Sequence, residues 1–286
     1  MRNYERILWW GNVRELSFMQ RIAFAKDNRF DALNISPNDI ESLLAGGETL
    51  ASIRAMADDQ GIALTYLDPV VGWYPNWEPI GPAAEMLPFL SAGLGRTFEF
   101  ANALGIDRIL AITPSAVGAH SVADLAPHLA RLAQEARTHG VTVVLEAMPM
   151  WGFTRFSDVV ALQEAVQADN VKLLFDTWHY CRGGRQDEIL AAVPSGIIDH
   201  VQIADGTATC PTGMSLFEDC LQHRLPPGEG ALPIDDILAL LHRGGHLNSV
   251  GPEVFSSVFD TMTAAQIRDR LMPAFNAAVV HARQDT

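Results

Sequence analysis

The sequence predicts an α/β fold, a (β/α)8 TIM barrel, on three observations. Short β-rich runs alternate with longer segments of helical periodicity, the pattern of a parallel sheet with helices packed outside. Eight such pairs fit within the 286 residues. A doubly wound open sheet would place a Gly-x-Gly-x-x-Gly loop after its first strand, and none stands there.

Taken in order, the expected strands are Arg6–Trp10, Asp31–Ile35, Ile62–Leu67, Arg108–Ile112, Thr142–Glu146, Val171–Asp176, Ile198–Ile203 and Val250–Glu253. Most are runs rich in β-branched or large apolar residues. The expected helices are Leu16–Asp27, Thr49–Gln60, Ala84–Leu104, Ser121–His139, Ser157–Ala168, Glu188–Ala192, Pro233–Arg243 and Thr263–Arg283. Ser157 is placed as an N-cap, Pro233 opens its helix, and Gly140 follows the fourth. No linker divides the chain, so residues 1–286 are expected to form one domain. The longest irregular stretch, about 205–230, follows the seventh strand. Loops of that length are commonly lids or binding segments, so it is expected to be lid-like.

Composition narrows the function. The chain is 48% hydrophobic and carries a formal net charge of −14. Such a surface repels phosphate backbones and anionic lipid, so neither nucleic acid nor membrane is expected as a partner. Three cysteines without paired metal-ligand spacing point away from a disulfide framework and a structural zinc site. Met1-Arg2-Asn3-Tyr4-Glu5-Arg6 runs into the first strand with no signal-like apolar core, which gives a cytoplasmic enzyme as the expectation.

The chemistry lies at strand ends. Glu146 closes Val143-Val144-Leu145, Asp176 closes Leu173-Leu174-Phe175, Gln202 follows His200-Val201, and Glu253 follows Val250-Gly251-Pro252. In a parallel barrel these ends meet at one mouth, where active sites form. Alternation puts Glu146 on one face with Val144 and Thr142, Asp176 with Leu174, and Gln202 with His200. Three carboxylates and an amide oxygen brought together would repel unless a cation lay between them. The set therefore reads as a site for one divalent ion.

These words, with Phe175-Asp176-Thr177-Trp178-His179, His200-Val201-Gln202-Ile203-Ala204-Asp205 and Pro227-Gly228-Glu229-Gly230 before the last strand, resemble the xylose-isomerase-like TIM barrels. That superfamily comprises sugar phosphate isomerases and epimerases and also contains endonuclease IV. The resemblance covers Arg108 to Arg283. It implies metal ligands at Glu146, Asp176, Gln202 and Glu253, with Gln202 where many members have His. Gln at that place is similar to the hydroxypyruvate-isomerase-like and 3-dehydroshikimate-dehydratase-like branches. An all-oxygen set suits Mn²⁺ or Mg²⁺, with Co²⁺, Ni²⁺ or Zn²⁺ as substitutes. The family analogy also implies a homo-oligomer.

The expected activity is proton transfer next to a carbonyl of a sugar or cyclic hydroxy-ketone through an enediolate. Glu146 and Glu253 would take and deliver the proton from opposite sides, and His179 would serve as hydrogen-bond donor or general acid. The alternative is a dehydratase of an inosose-like or dehydroshikimate-like substrate. A barrel that binds a sugar without turning it over is a remoter reading. An endonuclease would need a His-rich zinc cluster and a basic surface, and the chain has neither.

All six tryptophans fall near mouth-side strand ends. Trp10, Trp73, Trp151 and Trp178 are expected to wall the small-molecule substrate pocket, with Arg224 pairing to an anionic group on the substrate. Lys26 and Lys172 are the only lysines. One lies on an outer helix and the other about 13 Å down the sixth strand at ~3.3 Å per residue, so Schiff-base chemistry is excluded.

Overall fold

Each strand pairs in parallel with its sequence neighbours, and the last closes on the first. The computed structural model describes residues 4–283; Met1, Arg2 and Asn3 of the expected amino-terminal segment lie outside them. The barrel strands are β1 (Glu5–Leu8), β2 (Ala32–Ile35), β3 (Ala63–Val70), β4 (Arg108–Ala111), β5 (Thr142–Glu146), β6 (Val171–Asp176), β7 (Ile198–Ile203) and β8 (Ser249–Pro252). Around them run α1 (Phe18–Asp27), α2 (Pro37–Ala45), α3 (Leu50–Asp58), α4 (Leu87–Leu90), α5 (Thr97–Leu104), α6 (Val122–Thr138), α7 (Phe156–Val166), α8 (Thr177–Arg182), α9 (Asp187–Ala192), α10 (Leu216–Gln222), α11 (Ile234–Arg243) and α12 (Ala264–Ala282). The TIM barrel expected from the sequence is the fold observed. Among the described residues no helix is long and apolar enough to cross a membrane.

Local chemistry explains most boundaries. Ser17, Thr49, Ser121 and Thr263 cap α1, α3, α6 and α12 through reciprocal capping boxes, each typically worth about 1 kcal/mol. Gly251 lets β8 lie against β1, since a Cβ there would sit 2.1 Å from the Ile7 carbonyl oxygen. Below the mouth, His200 sits in a sealed chain. Trp9 Nε1 donates to its Nε2 at 2.8 Å, its Nδ1 meets Ser249 Oγ at 2.7 Å, and Ser249 donates to Glu5 at 2.8 Å. Burial pushes the imidazole well below its usual range, so it is neutral and carries its proton on Nδ1.

Four expectations need correction. Trp10 does not end β1; it opens a one-turn 3-10 helix over Trp10–Val13. The helix expected over Ala84–Leu104 is broken into a 3-10 turn, α4 and α5, because Gly93 and Gly95 take left-handed φ of 68° and 84°. The α7 start falls at Phe156, with Ser157 already inside it. Residues 205–230 are not wholly irregular. Ser215 caps α10 within them, and Asp205 collects the backbone N–H groups of Gly228, Gly230 and Leu232 at 3.0–3.1 Å. Gly230 is required at that turn, since a Cβ would stand 2.3 Å from Asp205 Oδ1.

Candidate active site

Register places the four strand-end residues on a rising path. Glu146 pairs with Leu174, so Asp176 stands one pleat higher on the same face; Asp176 pairs with Gln202, and Gln202 with Gly251, two residues before Glu253. All four side chains are buried, at 5% exposure or less. Asp176 also caps α8, its Oδ1 accepting the His179 N–H at 2.8 Å. Gln202 donates Nε2 to Glu253 Oε1 at 2.8 Å, which fixes the amide with its oxygen free.

Arg224 lies in the middle of this group, 1% exposed. Its Nη1 donates to Asp176 Oδ2 at 2.6 Å and to Glu253 Oε2 at 3.1 Å. Its Nη2 donates to His179 Nε2 at 2.6 Å and to Cys220 Sγ at 3.0 Å. The Trp178 ring backs the guanidinium at 4.9 Å and Arg182 at 5.1 Å. His179 gives its Nδ1 proton to the Ala147 carbonyl at 2.9 Å. Burial takes His179 down to about 4, so it is a neutral acceptor toward Arg224.

The electrostatics are unbalanced. Three carboxyl groups, Glu146, Asp176 and Glu253, face one guanidinium, so the cluster would carry a formal surplus of two negative charges if all three were ionised. Desolvation, then repulsion from Asp176 and Asp68, pushes Glu146 well above the usual carboxylate range. Glu253 is raised too, by burial against the pull of Arg224. For Asp176 burial also acts upward, but Arg224 and His179 together overcome it and hold the group low. Among the described residues, two buried oxygens, Glu146 Oε1 and Gln202 Oε1, have no hydrogen-bond partner, although His179 Nδ1 stands 3.4 Å from the former. Ligand atoms of Glu146, Asp176 and His179 lie within 4.8 Å of one another. Unpaired hard oxygens among three clustered carboxyl groups fit a divalent cation, which would favour the ionised form of each.

A cavity opens above this cluster. Trp10, Trp151, Phe89, Phe255, Met148 and Phe217 supply much of its apolar wall, and Glu146, His179, Arg224, Glu253 and Asp68 supply its polar part. Trp73 and Trp178 are not on that wall. Trp73 turns away to the Ile112 carbonyl and packs on Tyr74, and Trp178 is sealed behind Arg224. Arg224 faces the protein's own carboxylates. Sequence reasoning overlooked Cys220, which holds Arg224 from α10, and Asp68. Asp68 follows the expected end of the third strand at Leu67, so the strand-end rule itself would have reached it.

Comparison with known proteins agrees with this fold. A protein-family model described as "Xylose isomerase-like TIM barrel" matches residues 22–272. An inosose isomerase of Halalkalibacterium halodurans is 30% identical over 142 residues, 48% of each chain, so this chain spans about half the length of that curated relative. A putative hydroxypyruvate isomerase of Streptomyces coelicolor is 24% identical over 84% of this chain and 86% of its own. Among solved structures, an IolI protein with a bound zinc atom superposes with TM-score 0.80 at 18% identity, covering 96% of this chain and 98% of that one.

Proposed function

Because the chain belongs to the xylose isomerase-like TIM barrel family, we propose that it is a divalent-metal-dependent isomerase or epimerase. Its substrate would be a sugar or cyclic hydroxy-ketone. The observation that carries this is the buried cluster of Glu146, Asp176, Gln202 and Glu253, three carboxyl groups beside a single guanidinium, with Glu146 Oε1 and Gln202 Oε1 lacking a hydrogen-bond partner among the described residues. The names of the relatives, isomerases of an inosose and of hydroxypyruvate, support the same class.

Glu146, Asp176, Gln202 and Glu253 would hold the cation, whose contribution is Lewis-acid polarisation of a carbonyl. The oxygen-only set favours Mn²⁺ or Mg²⁺ over Zn²⁺. Glu146 is the better base. Its Oε1 has no hydrogen-bond partner among the described residues, and burial raises its affinity for a proton above that of an ordinary carboxylate. Both Glu253 oxygens already accept hydrogen bonds, from Gln202 and Arg224, which suits a group that returns the proton from the other side. Arg224 keeps Asp176 ionised and aligns Glu253. His179 orients Arg224 and does not transfer a proton to the substrate, since both its nitrogens are engaged. The dehydratase reading would then need an acid other than His179.

Metal-loaded protein should exchange the α-proton of a reactive hydroxy-ketone in D₂O and yield a product of unchanged mass after back-exchange. Release of water from the substrate would replace this reading with a lyase, and exchange that persists after complete chelation would remove the metal from it.

A further inference from the structure

We infer that Asp68 is a substrate-binding residue, an anchor for a hydroxyl group at the end of the substrate remote from its carbonyl. The inference deepens the proposed function and rests on it only for where the carbonyl end lies.

Asp68 sits at the mouth on β3, four strands around the closed barrel from Gln202 on β7. It lines the same cavity as Glu146 and Glu253. One oxygen is fixed: Oδ2 accepts from Asn34 Nδ2 at 3.0 Å and from Trp10 Nε1 at 3.3 Å. Asn34 is itself held, its Oδ1 accepting the Trp10 backbone N–H at 2.7 Å. Those contacts tie the 3-10 turn after β1 to β2 and β3 and leave Oδ1 with no hydrogen-bond partner among the described residues. Oδ1 is also absent from the sealed, unpartnered atoms, so it faces the cavity.

The surroundings select the donor. Trp10, Phe89, Met86, Leu90 and Phe255 make the wall near it apolar, and no cation stands in hydrogen-bond contact with Asp68. A carboxylate fixed on one side and bare on the other, in an apolar wall, is matched by a neutral hydroxyl donor; a second carboxylate or a phosphate would be repelled. Burial pushes the Asp68 carboxyl up to about 7, and a donated hydroxyl hydrogen bond would favour its ionised form. The site thus has two poles, a carbonyl pole at Glu146 and Glu253 and a hydroxyl pole at Asp68. A polyhydroxylated ring or longer chain has hydroxyls away from its carbonyl to offer the far pole, whereas in a three-carbon hydroxy-ketone every hydroxyl is adjacent to the carbonyl.

The test uses calorimetric binding of two probes to the Mn²⁺-loaded protein, 2-keto-myo-inositol and 2-hydroxycyclohexanone. The second keeps the ketone and its neighbouring hydroxyl and lacks the rest. Wild type should bind the first more tightly. Asp68→Asn keeps an acceptor for Trp10 and Asn34 but offers the cavity an amide. It should weaken the first probe by about 10- to 100-fold, as for loss of a hydrogen bond to a charged group, and leave the second unchanged. Equal loss for both probes, or equal affinity of wild type for both, would overturn the anchor. A crystal structure of wild type with 2-keto-myo-inositol gives a second reading should the variant not fold. A ring hydroxyl on Asp68 Oδ1 at about 3 Å supports the inference, and Asp68 facing solvent refutes it. Absence of proton exchange with binding intact would count against the isomerase reading and leave the anchor standing.

Discussion

At the scale of single residues, Glu146 and Arg224 have opposite parts in one charge balance. Glu146→Gln keeps an oxygen for a cation but removes the basic site. Turnover should fall at least ~10²-fold while bound metal, measured by elemental analysis, stays near the wild-type level. Unimpaired turnover would remove Glu146 from proton transfer. Arg224→Met leaves Asp176 and Glu253 without their counter-charge in a fully buried place. Chelated protein carrying it should lose about 3–5 kcal/mol in urea unfolding, with part regained on adding Mn²⁺. A loss under about 1 kcal/mol would mean the guanidinium contributes no more than a surface pair. Glu146, Asp176, Gln202 and Glu253 were legible in the sequence because a strand that ends in an oxygen-bearing side chain reveals its own register. The partner of Arg224 was not legible, since the bend that turns it inward depends on α10 and on Cys220, nowhere near the strand pattern.

At the scale of elements, the barrel strands were readable to within a few residues because buried parallel strands are continuous apolar runs. The helix α2 was missed although its signal is present: Ser36 caps it, Pro37 opens it and Asp39 closes the capping box. The short α8 and α10 carry too few turns for periodicity to register. One element-level contact has a measurable pH signature. His200 ties β7 to β1 and β8 in its neutral form, with a proton affinity well below the unfolded value of about 6.5. Between those two values the unfolded chain binds the extra proton, so stability is full above pH ~6.5 and is lost as pH falls below it. The slope approaches about 1.4 kcal/mol per pH unit. Thermal melts of wild type from pH 7.5 down to about 5.5 should fall more steeply than those of His200→Gln. Parallel curves would show that His200 does not titrate on unfolding.

At the scale of the whole molecule, the closed barrel brings four distant sequence positions to one mouth, and the proposed function rests on their holding one cation together. Residues 205–230 follow β7 and deliver Arg224 and Cys220 to that site, so the outer wall is built from the segment with the least readable pattern. The most direct test is metal content per chain after exhaustive dialysis against Mn²⁺, for wild type and for Asp176→Asn and Gln202→Leu. The account predicts one equivalent in wild type and a clear loss in both variants, with the fold retained by circular dichroism. Full occupancy in both variants, or no metal in well-folded wild type, would contradict it.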